Sequence, residues 1–136
     1  MSYYIEKNVL NQQVNKEIDV CLFEKITSPI PTKNLTLSHS RFKTLMSQGI
    51  QSDSKDGLLL GPYLLDPIYK RTNHNIEKIS LLVFDIDDPR GFSLNEIIKM
   101  VKQFDGFIHT TWSHTIDNPR YRLIIFLSRA LNPKEF

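Results

Sequence analysis

One cysteine, Cys21, stands in 136 residues. A lone thiol closes no internal disulfide and builds no cysteine-rich zinc site, so nothing marks the chain as a disulfide-stapled secreted domain. The start, Met1-Ser2-Tyr3-Tyr4-Ile5-Glu6, lacks the basic and apolar regions of a signal peptide. No uninterrupted apolar run approaches the roughly 20 residues of a membrane span. These absences make a cytoplasmic protein with no membrane partner the expectation. Charge of one sign is also scarce: 17 Lys and Arg against 15 Asp and Glu leave a net +2. No global field draws nucleic acid or lipid, and any such partner must be argued from local charge. Glycine is sparse, with 5 residues, and no repeat or low-complexity stretch appears. What is present, 40% apolar and 24% charged residues, is the composition of one ordinary globular domain.

The first half carries few signals. Val20-Cys21-Leu22-Phe23 reads as a strand and Ser28-Pro29-Ile30-Pro31 as a turn. Phe42, Leu45 and Met46 recur at helical spacing, with Ser38 or Ser40 as N-cap and Gly49 as the stop. Leu58-Leu59-Leu60 is a candidate strand, broken by Gly61-Pro62. Lys70, Arg71 and His74 form a small basic cluster, which taken alone is a solvated turn.

The second half is sharper. Leu81-Leu82-Val83-Phe84 has the continuous apolar character of a central strand covered on both faces, and it ends in Asp85-Ile86-Asp87-Asp88. Ser93-Leu94-Asn95-Glu96 is a capping box, so the stripe Leu94, Ile97, Ile98, Val101 and Phe104 predicts a helix over 94–104 that Gly106 stops. Phe107 to Trp112 and Tyr121 to Leu127 read as strands flanking a turn-rich loop. In a split βαβ arrangement the strands near 82 and 109 run parallel, with the strand near 124 antiparallel between them. Asp85, Asp87, Ser113, His114, Arg120 and Arg122 then gather at one edge of one sheet.

The spacing of Asp85 and Asp87 sends both carboxylates to the same strand face and Ile86 to the other. Adjacent carboxylates repel unless a cation lies between them, and hard oxygen donors suit Mg²⁺ or Mn²⁺ completed by substrate phosphates. Arg120 and Arg122 share a face, and guanidinium forks bind phosphate bidentately, so with His114 they outline a triphosphate cradle. The bland alternative is that the arginines bridge to Asp117 or to Asp85 and Asp87 as structural ion pairs.

These residues resemble a family. Leu81 to Asp87, then Thr110-Thr111-Trp112-Ser113-His114-Thr115, then Pro119-Arg120-Tyr121-Arg122-Leu123-Ile124-Ile125 and Leu127-Ser128-Arg129, look like the archaeo-eukaryotic primase superfamily, specifically its phage- and plasmid-type primase-polymerases. Lys55-Asp56-Gly57 and Arg71-Thr72-Asn73 look like the stretch that precedes the first motif there. The resemblance covers roughly residues 40–136. It implies an α+β fold with an RRM-like βαββ core over 80–136 and an N-terminal α/β module over 1–79. It implies that Asp85 and Asp87 bind two divalent metals, that His114 contacts the phosphates of an incoming nucleoside triphosphate beside Ser113, Arg120 and Arg122, and that a 3′-hydroxyl attacks the α-phosphate. A single-stranded DNA template would lie on Lys70, Arg71, Tyr121 and Arg129, and a helicase domain or protein is a further expected partner.

The sequence departs from that pattern twice. Trp112-Ser113-His114 places the small residue directly before the histidine, where the family leaves one residue between them. The third motif, a carboxylate on a later strand, is not found, and Asn132-Pro133 announces a helix that the remaining residues do not continue. The expectation is a catalytic domain truncated before its last helix and strand, inactive alone. Three other readings compete. A metal-dependent phosphatase of the haloacid dehalogenase type would want Gly-Thr after Asp87, where Asp88-Pro89 stands. A rolling-circle endonuclease would want a tighter histidine pair than His109 and His114. A non-catalytic nucleic-acid-binding or replication-initiator module would gain nothing from paired carboxylates.

Overall fold

The computed structural model describes residues 2–5, 17–25, 27–48, 59–65 and 70–136. Strands β1 (Ser2–Ile5), β2 (Glu17–Phe23) and β3 (Lys33–Ser38) precede helix α1 (His39–Ser47). Then come β4 (Leu59–Gly61), β5 (Tyr63–Leu65), β6 (Ile76–Ile86), α2 (Leu94–Val101), β7 (Gly106–Thr110) and β8 (Tyr121–Leu131). The chain is therefore α+β. One sheet has five strands in the order β1-β7-β8-β6-β5 and the other has three in the order β3-β2-β4. β8 lies between β6 and β7 and is antiparallel to both, so β6 and β7 run parallel, as the split arrangement requires.

Each face of the larger sheet has its own cover. Leu81, Phe107, Ile124 and Phe126 pack against Ile18 and Val20 of the small sheet and Phe42 of α1. On the opposite face Ile108, Tyr121 and Leu123 pack with Ile97 of α2, joined by Ile86, Leu94 and Val101. A third cluster, Cys21, Phe23 and Leu65 with Ile76, closes the end of the sheet where β6 begins. Ser80 ties the layers together, its hydroxyl accepting the Asp19 N–H at 3.3 Å.

The capping box forms as expected: Ser93 Oγ accepts the Glu96 N–H at 3.3 Å and Glu96 Oε2 accepts the Ser93 N–H at 2.7 Å. The carboxylate of Glu96 is held below its ordinary range by those Ser93 hydrogen bonds. Ser38, not Ser40, caps α1 by accepting the Arg41 N–H. Gly49 and Lys55-Asp56-Gly57 lie outside the described residues.

Several expectations need correction. α2 stops at Val101, three residues before Phe104, because the chain tightens so that the Phe104 N–H donates to the Val101 carbonyl. Gly106 is not a helix stop but the first residue of β7, where an added Cβ would stand 2.5 Å from the Ile124 carbonyl oxygen. β6 is not covered on both faces along its length: Val83 is 37% and Phe84 49% exposed, although Ile86 beyond them packs against the α2 side. The division at residue 79 falls inside β6, and β1 and β5 hydrogen-bond into the same sheet as β6 and β7, so both halves share one sheet and one core.

Candidate functional site

The site begins with register. On β6 and β8, Leu81 opposes Phe126, Val83 opposes Ile124 and Asp85 opposes Arg122, while on β7 His109 opposes the same Arg122. Side chains alternate along a strand, so Asp85, Arg122 and His109 occupy the face that carries the α1-side core, one step beyond where that core ends. The layer turns from apolar to charged within two residues.

Arg122 grips Asp85 with two hydrogen bonds, Nε to Oδ1 at 2.6 Å and a terminal nitrogen to Oδ2 at 3.1 Å. One step farther out, Arg120 reaches Asp87 Oδ1 at 3.2 Å. All four side chains are at least a third exposed to solvent, so each pair is worth at most about 1 kcal/mol to folding. Their placement matters more than their strength. Two carboxylates and two guanidinium groups stand as opposed pairs along one sheet edge, the arrangement that the β6–β8 register dictates.

The loop from Thr111 to Arg120 is tightly organised. Its Thr111 N–H donates to the Arg120 carbonyl and the His114 N–H to the Thr111 carbonyl, both at 3.1 Å. The Arg120 N–H donates to His114 Nδ1 at 3.1 Å. In the neutral ring this places the proton on Nε2, leaving that N–H as a donor for an anion. The ring leans on Tyr121, with centroids 5.4 Å apart. His109 takes the opposite tautomer: its Nδ1 lies 2.8 Å from the Thr110 carbonyl, which can only accept. Burial lowers the His109 pKa and Arg122 lowers it further, against the opposing pull of the Thr110 carbonyl and Asp85.

Asp85, Asp87, Ser113, His114, Arg120 and Arg122 therefore share one end of the sheet. Of the residues expected to hold a template, Tyr121 lies at this end but is covered, and Lys70, Arg71 and Arg129 lie elsewhere. Tyr121 is 8% exposed beneath His114 and offers no open ring. Arg129 lies at the far end of β8, bound to Glu135 at 2.8 Å. Lys70 and Arg71 precede the start of β6, with the Arg71 guanidinium 4.9 Å above the Phe23 ring. An 11-residue strand separates those ends by roughly 30 Å. Three residues outside the expected site set belong to this end: His109, which opposes Arg122, and Trp112 and Phe92 on the loops that follow β7 and β6. Only the strand pairing sets His109 opposite Arg122.

Among the described residues, no three His, Cys, Asp or Glu side chains cluster closely enough to hold a metal ion. The donor set is two carboxylates, which fits a cation that takes its remaining ligands from substrate phosphate and water.

The family model of the VapE N-terminal domain matches residues 5–136. The chain belongs to that family. The VapE N-terminal domain is a domain of phage- and plasmid-type replication proteins, and the match spans both sheets and the charged end. No curated protein and no solved structure matches the chain. No helix among the described residues is long and apolar enough to cross a membrane.

Proposed function

We propose that this VapE N-terminal domain contributes a nucleotidyl-transfer site to the replication of a phage- or plasmid-like element, extending a primer or initiating strand on a single-stranded DNA template. The observation that supports this reading is the meeting of Asp85 and Asp87 with Arg120, Arg122 and His114 at one sheet edge. Nucleotidyl transfer needs a place where a triphosphate and a hydroxyl come together, and this edge sets two carboxylates beside two arginines and a histidine.

In this reading Asp85 and Asp87 hold Mg²⁺ or Mn²⁺, which when bound supplies charge neutralisation at the reacting phosphates and acidifies the attacking hydroxyl. The chain's own groups do the rest. Arg120 and Arg122 turn their guanidinium forks from the aspartates to the β- and γ-phosphates of a nucleoside triphosphate, a substitution of one oxyanion for another. His114 donates its Nε2 proton to a phosphate oxygen, held at the correct tautomer by the Arg120 N–H. Ser113, beside it in the same turn, adds a hydroxyl donor. A helicase domain or protein is the expected companion, since such a site consumes unwound strand.

A second reading has one observation in its favour. Both aspartates are already neutralised by arginines, as a purely structural pairing would leave them. A non-catalytic nucleic-acid-binding module is then the alternative. Template-directed primer synthesis by the full-length protein with Mn²⁺ separates the two. The proposal expects Asp85→Ala and Asp87→Ala each to abolish synthesis while the fold persists by circular dichroism. Unchanged synthesis in both variants would overturn it.

A further inference from the structure

Two loops meet at the charged end of the sheet, and both hold large apolar side chains in water beside cations. The loop after β6 turns over Pro89–Phe92, the Phe92 N–H donating to the Pro89 carbonyl at 2.9 Å. Arg90 at φ 51° and Gly91 at φ 81° both take the left-handed conformation. Arginine rarely adopts it, and here Asp88 Oδ1 accepts the Arg90 N–H at 3.0 Å and holds it there. Phe92, the last residue of that turn, is 50% exposed. On the facing loop Trp112 is 58% and Ile116 95% exposed. That loop cannot fold inward to bury them: besides its closing bonds, the Thr115 N–H donates to the Asn118 carbonyl and the Asn118 N–H to Thr115 Oγ1. The Arg120–Asp87 pair joins the two loops.

Apolar groups fixed in water on a hydrogen-bonded loop suit a ligand surface better than a core. Their chemistry narrows the ligand. Along the two loops the apolar side chains alternate with Arg90, His114 and Arg120, a pattern that matches a partner alternating flat rings with anions. We propose that Trp112, with Phe92 and Arg90, forms a stacking rim that takes a single nucleic-acid strand past the Asp87 end of the site. The inference rests on the nucleotidyl-transfer reading and deepens it. It moves the strand's contacts from Lys70 and Arg129 to the loops that border the charged pairs. Bases stack on Trp112 and Phe92, and Arg90 meets the backbone phosphate between them.

Trp112 is the single tryptophan of the chain, so its emission reports its own environment. The test titrates the chain with a labelled oligothymidylate of about 12 nucleotides, following tryptophan emission and label anisotropy together. The expected result is quenching that tracks the anisotropy, an affinity loss of roughly tenfold or more in Trp112→Ala, and retention of most affinity in Trp112→Phe. Arg90→Ala should weaken binding less and lower the salt dependence by about one phosphate contact. Binding with unchanged emission, together with Trp112→Ala at full affinity, would overturn the rim. So would no binding, or self-association lost in Trp112→Ala with strand affinity intact, which would assign the surface to a protein partner. Failure of the underlying reading looks different: Asp85→Ala and Asp87→Ala would keep primer synthesis whatever the oligonucleotide does.

Discussion

The two ends of the β6–β8 pair are built from the same two strands and have opposite character. Where β6 begins, Cys21, Phe23 and Leu65 are fully buried and Ile76 packs onto them. The ion pair at that end, Arg129 with Glu135, joins residues six apart and belongs to a local turn, in which the Glu135 N–H donates to the Asn132 carbonyl. Where β6 ends, the pairs join residues 37 and 33 apart and the neighbouring loops keep Trp112 and Phe92 in water. A local pair tidies a turn. A long-range pair exists only because the fold brings its halves together, and with little stability to gain from exposed charges its placement calls for another explanation.

That contrast can be broken by mutation, beginning with the largest effect. Asp85→Ala should lower primer synthesis by the full-length protein about a hundredfold or more, with a stability change within about 1 kcal/mol. Glu135→Gln, which breaks the pair at the other end, should leave synthesis unchanged; equal losses in the two variants would erase the distinction between the ends. Leu65→Ala should reverse the pattern. It empties part of the dry cluster and should cost about 2–5 kcal/mol in urea unfolding, while the remaining folded protein keeps its specific activity.

A smaller effect comes from the thiol. Burial pushes the Cys21 thiol from 9.0 up to about 11, against a backbone hydrogen bond with Gly61 and the charge of Arg71, which pull it down. A raised folded value stabilises the fold fully below 9.0, and that contribution is lost as pH rises through the interval to about 11. Iodoacetamide should therefore modify Cys21 slowly in the native chain at mildly alkaline pH and rapidly across the urea transition. Fast native labelling would mean that the cluster opens locally.

How much of this could be read beforehand follows from which signals are local. The capping box at Ser93 and Glu96, the stripe through Ile97 and the alternation from Tyr121 onward are written within a few residues, and β6, α2, β7 and β8 were legible for that reason. With that unit in place, the convergence of Asp85, Asp87, His114, Arg120 and Arg122 follows from topology alone. β1 was not legible, because it is held by pairing with β7 some hundred residues away. β3 carried a faint alternation through Leu35 and Leu37 that went unread. The exposure of Val83 and Phe84 was hidden because an apolar run does not reveal which of its side chains are covered. Lys70, Arg71 and Arg129 lie away from the charged pairs for a related reason: charge and resemblance singled them out, and only the strand direction shows that they stand toward the other end of the sheet. Trp112 passed as part of a strand when it belongs to the turn.

The central claim is that the aspartates serve chemistry rather than the fold, and exchanging one pair tests it most directly. The double variant Asp85→Arg with Arg122→Asp keeps a carboxylate and a guanidinium opposed across β6 and β8 but moves each to the other strand. Primer synthesis and urea unfolding are measured on the same protein, beside the two single variants. The account predicts that the exchange recovers the stability that the single variants lose and recovers no synthesis, because the carboxylate no longer stands two residues from Asp87. Synthesis restored along with stability would contradict it, and would make Asp85 and Arg122 a structural pair.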